Sequence, residues 1–231
     1  MKRLGLFALV VAGCTRVESD DILTSGISAD ISARAKGDGS TTVSATLFLG
    51  NPINLNFVDL TADDQLIASN GGQDKVMTEV IILNAVGHNA TFQTDAEDDE
   101  FVVDFQRTLD DGAPRSVATL PAPFAIAAGA ASTSRAAALD LDWSPGSADQ
   151  MSWSASGDCI DSVGQVPVDD SGTTTIAANT LRKRAAAGTP DSCTVTVTMT
   201  RFRDGDLDPG YGKGGAAYGV QERTLTFTST P

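Results

Sequence analysis

Apolar and polar residues alternate with a period of two along most of this chain, the pattern of β-strands that have one buried and one solvated face. In the clearest example, from Ile27 to Ala35, every second residue is apolar and the residues between are polar or charged. The turn-forming sequence KGDGS follows at residues 36–40, and the alternation resumes at Val43. The two segments therefore predict a β-hairpin.

The same alternation predicts further strands in both halves of the chain, with turn residues between them. In the first half they are Leu55–Val58, Gln65–Ser69, Thr78–Asn84, Ala90–Thr94, Phe101–Thr108 and Ser116–Leu120. In the second half they are Leu139–Trp143, Met151–Ala155, Cys193–Phe202 and Val220–Thr228. Their number and spacing are typical of β-sandwiches.

A change in composition separates the two halves. Residues 121–138 are rich in alanine and carry almost no charge. Proline cannot donate to a sheet ladder, so Pro121 and Pro123 suit the exit from a terminal strand. An alanine-rich helix over 125–138 is the alternative, and Gly129 weakens it.

The two halves are similar in size, and each is long enough to bury a core of its own. Tandem sandwiches therefore account for the pattern better than one large sandwich. We expect an all-β fold of two antiparallel β-sandwich domains, the first over residues 26–127 and the second over 128–231.

The first thirteen residues have the parts of an export signal. Lys2 and Arg3 form a positive head, and an apolar stretch follows from Leu4 to Ala12. A transmembrane helix needs about 20 apolar residues, and this stretch has about half that number. We therefore expect a signal peptide over residues 1–13.

The end of this signal, Val11-Ala12-Gly13-Cys14, resembles the lipobox of bacterial lipoproteins. The resemblance implies cleavage before Cys14 and attachment of lipid to its thiol, with a tether over residues 14–25. Two or three acyl chains give lasting attachment where one does not. Thr15, in place of aspartate, implies sorting to the outer membrane under the best-known rule for this family. The alternative is a buried or reactive thiol behind an ordinary signal peptide.

If Cys14 carries lipid, Cys159 and Cys193 remain as a pair in an oxidising compartment, where we expect them to form a disulfide. A loop of about 35 residues corresponds to roughly 3–4 kcal/mol of stabilisation in the chain-entropy model. Two cysteines with tryptophans nearby loosely resemble an immunoglobulin-like sandwich, although both tryptophans precede Cys159. The whole chain is similar to uncharacterised bacterial lipoproteins with tandem immunoglobulin-like domains, a resemblance that implies no activity.

The net charge of the chain limits the classes of partner that it is expected to bind. Without the signal peptide the chain has 14 basic and 30 acidic residues, a net charge of −16. Such a surface repels phosphate groups, so we expect no nucleic-acid partner. The expected partners are the membrane, through the lipid, and an envelope protein or glycan. The basic cluster Arg182–Arg184 is a candidate contact, although such clusters are more often solubilising.

One loop has the composition of a metal site. Asp204, Asp206 and Asp208 alternate in the glycine-containing sequence DGDLDPGYG, where three carboxylates could converge on Ca²⁺. The alternative is an acidic hairpin loop, and we expect no other cofactor. In the same region, Tyr211 and Tyr218 could offer aromatic contacts to a sugar.

Signals for catalysis are weak. The one histidine, His88, is expected in a loop and has no second imidazole for a zinc site, and no serine-hydrolase motif is present. We expect no catalytic residue and no enzymatic activity. The leading hypothesis is a lipid-anchored, non-catalytic envelope module that binds or supports other molecules. The alternatives are a calcium-dependent adhesive or glycan-binding lipoprotein and, less favoured, a sandwich-fold hydrolase.

Overall fold

A computed structural model describes residues 16–51, 54–61, 63–144 and 146–231. Cys14 and the signal peptide lie outside these residues, so their roles stay predictions. The described residues form eighteen strands and two short 3₁₀ helices, Ser19–Asp21 and Thr24–Gly26. The strands are β1 (Arg16–Glu18), β2 (Ser28–Ala35), β3 (Thr41–Asn51), β4 (Asn54–Asp59), β5 (Gln65–Asn70), β6 (Gln73–Val76), β7 (Thr78–Ile82), β8 (Ala85–Phe92), β9 (Glu100–Gln106), β10 (Ala113–Thr119), β11 (Ala125–Ala128), β12 (Ser132–Ser134), β13 (Leu139–Ser144), β14 (Gln150–Gly157), β15 (Val163–Val168), β16 (Thr173–Ile176), β17 (Cys193–Asp204) and β18 (Ala216–Thr230).

The strands form three sheets, which confirms the all-β prediction. The large sheet has the main order β1-β4-β3-β2-β18-β17-β14-β15, with β8 and β7 added beside β3 and β12 beside β18. A four-stranded sheet has the order β10-β9-β5-β6, and a three-stranded sheet has the order β11-β13-β16. Pairing is not antiparallel throughout, because β1–β4, β12–β18 and β18–β2 are parallel.

Buried side chains form two clusters on the inner face of the large sheet. The first contains the alternating residues of β2 and β3 together with Phe101, Val103 and Phe105 of the four-stranded sheet. The second contains Trp143 of the three-stranded sheet and Trp153 of β14. The division of the chain at residue 127 stays a prediction, because no break in the large sheet accompanies the change of cluster.

The large sheet is continuous because β18 contributes to both clusters. Its first residues pair in parallel with β2, and its last residues pair with β17. Ala217 belongs to the first cluster and Phe227 to the second. At Gly219 the strand lies so close to β10 that a Cβ atom would be 1.9 Å from the carbonyl oxygen of Thr119. Glycine is needed there for this close approach.

The hairpin predicted from the sequence is present as β2 and β3, which pair antiparallel from Ser28–Phe48 to Ala35–Thr41. The alternative of an alanine-rich helix over 125–138 is wrong, because this segment contains the short strands β11 and β12. Much of the segment assigned to a tether is also structured, since β1 and both 3₁₀ helices lie within or next to it.

An arginine between β9 and β10 fixes this N-terminal segment to the rest of the fold. The Arg107 side chain is almost fully buried, ion-pairs with Asp64 at 3.1 Å, and donates to the carbonyl oxygens of Ser19 and Ile22. The backbone N–H of Thr24 donates to Asp110. These contacts order the segment because they supply hydrogen-bond partners to backbone groups that would be hydrated in an unstructured tether.

Candidate functional site

One transverse row of side chains crosses the outer face of the large sheet. The strand registers place Gln150, Phe202, Val220, Arg34 and Thr42 directly beside one another, on β14, β17, β18, β2 and β3. Adjacent strands lie about 4.8 Å apart, so the row is about 19 Å long. Such a row forms because each of these residues points to the outer face and is paired with the next one on the neighbouring strand.

Three adjoining depressions follow this row, and together we call them the cross-sheet groove. The largest, about 540 Å³, lies over β14 and β15 beside the loop that precedes β14. The second, about 240 Å³, shares Gln165 and Phe202 with the first. The third, about 250 Å³, shares Arg34 with the second. The groove therefore continues across the strands for the length of the row.

The groove presents several kinds of polar group around two aromatic rings. Amides come from Gln150 and Gln165, hydroxyls come from Thr42 and Ser44, and the rings are Phe202 and Tyr218. Apolar rings with a few placed polar groups are the usual composition of a ligand site. This mixture suits a ligand with hydroxyl groups and apolar ring faces.

A buried ion pair supports the largest depression of the groove. The side chains of Arg201 and Asp170 are 0% and 1% exposed, and Nε of the arginine lies 2.8 Å from Oδ2 of the aspartate. Asp170 also accepts from Trp143 Nε1 at 2.6 Å and from Ser147 Oγ at 2.6 Å. Burial raises the pKa of Asp170, but these bonds outweigh it and the pKa is lowered. The carboxylate is therefore held ionised.

A second arginine of β17 supports the rim. Arg203 binds Asp149 with two hydrogen bonds, of 2.8 and 3.1 Å, and reaches Asp98 at 2.7 Å. The bonds to Asp149 raise the pKa of Arg203, although its burial acts against this. Asp149 belongs to the loop before β14, and Asp98 to the loop between β8 and β9. The arginine thus joins these two loops at the rim of the groove.

These arginines engage two of the carboxylates that line the largest depression. A glycosidase needs one carboxylic acid that stays protonated and a second carboxylate facing it. Asp170 has a lowered pKa, and Asp149 is bound on both oxygens by Arg203. These two carboxylates therefore serve structural ion pairs.

The far end of the groove carries both signs of charge. Arg34 donates to Glu222 at 2.7 Å, and Lys36 lies 4.0 Å from the same carboxylate. Asp38 lies at the same end, where bonds from Ser40 lower its pKa. Balanced charge at this end favours a polar ligand without a strong net charge of its own.

The three aspartates of the predicted calcium loop have separate roles. Asp204 accepts from Gln150 at 3.0 Å, and the backbone of Asp206 bridges to Val117. Asp208 is buried and accepts from the backbone N–H groups of Arg115 and Gly210. The described part of the chain contains no group of three acidic, histidine or cysteine side chains that could hold a metal ion.

The predicted disulfide is present and includes the first residue of β17. Cys159 and Cys193 are bonded, with their Cα atoms 5.6 Å apart. Arg184 donates from its backbone N–H to the carbonyl oxygen of Cys159, so the basic cluster lies beside the disulfide. Lys183 of the same cluster forms an ion pair with Asp191.

Two single-residue predictions were wrong. His88 lies in β8 rather than in a loop, and its side chain is buried, which lowers its pKa. Tyr211 is a core residue stacked on Phe105, with ring centroids 6.0 Å apart, so it cannot reach a sugar. Tyr218 does line the groove.

No protein-family model and no curated protein sequence matches the chain. Partial structural matches include the Yersinia pseudotuberculosis adhesin InvE, at 14% identity over 88% of this chain with a TM-score of 0.25. They also include domains A168–A170 of titin, at 10% identity over 86% and 0.23, and murine CEACAM1b, at 9% over 87% and 0.25. The chain covers 60% of the InvE chain, 65% of the titin chain and 99% of the CEACAM1b chain. TM-scores this low do not indicate a function.

In the part of the chain that the structure describes, no helix has the length and apolar character needed to cross a bilayer.

Proposed function

We propose that this protein is a lipid-anchored, non-catalytic module of the cell envelope that binds an extended glycan in the cross-sheet groove. The observation that carries the proposal is the transverse row through Phe202. Along one path across the sheet it places an amide, an aromatic ring, a guanidinium and a hydroxyl, from Gln150, Phe202, Arg34 and Thr42. Sugar rings have apolar faces and hydroxyl edges, and these match aromatic rings and amides respectively.

The dimensions of the groove support an oligomeric ligand rather than a single sugar. The row is about 19 Å long. The three depressions have volumes of about 540, 240 and 250 Å³. A single sugar would leave most of this length empty, so the ligand is expected to bind more weakly as it is shortened.

Binding is tested with oligosaccharides released from the host envelope and sorted by length, titrated by calorimetry into the lipidated protein in detergent. Phe202→Ala should weaken binding at least about ten-fold, equivalent to about 1.4 kcal/mol, because truncating a central aromatic residue removes a large share of binding energy. Thr226→Ala is the matched control, since Thr226 is exposed on the same face outside the groove. Equal affinities for the wild-type protein and Phe202→Ala would refute the groove as the binding site.

The lipid anchor is tested separately. Cells grown with labelled palmitate should incorporate label into the wild-type protein and none into Cys14→Ser. The proposed location is the outer membrane, so the labelled protein should fractionate there. An unlabelled wild-type protein would remove the anchor from the proposal without affecting the groove.

A further inference from the structure

Large apolar side chains are exposed at the tip of the β7–β8 hairpin. Leu83 is 95% exposed, Ile82 is 65% exposed and Ile81 is 48% exposed. Leu83 and Asn84 form the turn with φ values of 49° and 70°, a left-handed conformation that leucine rarely adopts. Three consecutive apolar residues at an exposed tip indicate a contact surface rather than a solvated turn.

The strand registers direct this tip toward the end of the sheet at which the described chain begins. Arg16 pairs with Phe57, which pairs with Phe48 of β3. His88 pairs with Ala45 of β3. The pairing of β8 with β3 ends there, because β4 takes the same edge of β3 from Phe48 onward, and the start of β8 leaves the sheet in contact with β4. Since β1 and β8 both run antiparallel to β3, their first residues point toward the same end of the sandwich.

Two further exposed leucines lie at this end. Leu23 is 65% exposed and directly precedes Thr24, whose N–H donates to Asp110. Leu109 is 70% exposed and directly precedes the same aspartate. The β2 strand begins shortly after, at Ser28, which pairs with Phe48. The apolar end, which we define as Leu23, Ile81, Ile82, Leu83 and Leu109, is therefore the end at which the described chain begins.

The covalent chain sets the distance to the proposed anchor. Arg16 is two positions after Cys14, so their Cα atoms can be at most about 7 Å apart. A lipid on Cys14 would thus hold the apolar end against the bilayer rather than at the end of a long tether. Because acidic residues such as Asp20, Asp21 and Asp110 surround this end, it fits a zwitterionic lipid surface better than an anionic one.

We infer that the apolar end of the first sandwich inserts into the lipid interface and fixes the orientation of the protein on the membrane. The inference rests on the proposed lipidation of Cys14. Interfacial apolar residues enter about 5–10 Å, to the boundary between headgroups and acyl chains. The loop that contains Glu97, at the opposite end of the sandwich, then faces away from the bilayer.

The test uses the full lipidated chain in phosphatidylcholine vesicles. With Cys14 lipidated and Cys159 bonded to Cys193, a new cysteine is the free thiol that accepts an environment-sensitive fluorophore. Leu83→Cys places the label at the apolar end, and Glu97→Cys is the exposed control. Spin-labelled lipids should quench the label at position 83 several times more strongly than at position 97, with blue-shifted emission at 83 alone.

The possible outcomes test membrane insertion of the apolar end and lipidation of Cys14 separately. Equal, weak quenching at both positions in vesicle-bound protein refutes the inference and leaves the anchor intact. An intact mass that shows Cys14 without lipid refutes both. Energy transfer between labelled copies at position 83, without quenching by lipid, would mean that the apolar end joins two copies of this chain and would also overturn the inference.

Discussion

Replacing Asp170 with asparagine tests whether the buried ion pair below the groove stabilises the fold. The change removes the carboxylate from Arg201 and leaves a positive charge in the protein interior, where both side chains are almost fully buried. Removing one partner of a buried pair costs about 3–5 kcal/mol. For a chain of this length, about 2–4 °C per kcal/mol corresponds to a fall of roughly 6–20 °C in Tm.

The assay is thermal unfolding followed by circular dichroism, with Asp169→Asn as the control. Asp169 is the exposed neighbour of Asp170, so its replacement makes the same charge change without breaking the pair. Combining Asp170→Asn with Arg201→Met removes both charges and should recover much of the loss. A loss below about 1 kcal/mol in Asp170→Asn, or no recovery in the double variant, would refute this reasoning.

The stability that the Asp170–Arg201 ion pair contributes should depend on pH. The pKa of Asp170 is lowered in the folded protein from its usual value of 3.8. Its contribution to stability is therefore complete above the unfolded pKa and is lost as pH falls below about 4 through the folded pKa. Asp170→Asn should lose less stability over this acid range than the wild-type protein, and parallel losses would contradict the assignment.

Three further predictions concern the remaining features. Adding millimolar Ca²⁺ should leave Tm unchanged in the wild-type protein and in Asp206→Ala, because the three aspartates of that loop have separate structural roles; a calcium-dependent rise that Asp206→Ala abolishes would contradict this. Replacing both Cys159 and Cys193 with serine should lower the free energy of unfolding by roughly 3–4 kcal/mol in a denaturant titration, and an unchanged midpoint would contradict the chain-entropy argument. Gly219→Ala should cost about 3 kcal/mol because its Cβ would collide with the Thr119 carbonyl, whereas Gly164→Ala, with nothing within 4 Å, should cost far less; equal losses would rule out the collision as the cause.

The sequence predicted individual strands well because a period of two is a local property. The inward face of β17 follows directly from the alternation of Val195, Val197 and Met199, all of which are buried. Arg201 lies two residues after Met199, so the same alternation points its side chain inward, and it is fully buried. A charge on an inward position indicates a buried partner, so this arginine was the available signal for an ion pair near the groove.

Sheet order and strand environment could not be predicted in this way. Nothing local in Ala216–Thr230 shows that its first part pairs with β2, a partner about 185 residues earlier in the chain. The groove depends on that pairing, because it brings Val220 beside Arg34. Likewise, Thr78–Asn84 was correctly predicted to contain a strand, but its apolar residues gave no sign that β7 would be exposed. The groove and the exposure of β7 both depend on pairing between segments that are far apart in the sequence.

Protection of the groove by its ligand is the most direct measurement of the central claim. Carbene footprinting of the lipidated protein, with and without the longest envelope oligosaccharide that binds, reports the side chains that the ligand covers. We expect protection in peptides that contain residues 147–152, 165–170 and 198–204, with residues 224–228 on the same face unchanged. Protection confined to other surfaces, with labelling of Phe202 unaltered, would contradict the claim that the cross-sheet groove binds the ligand.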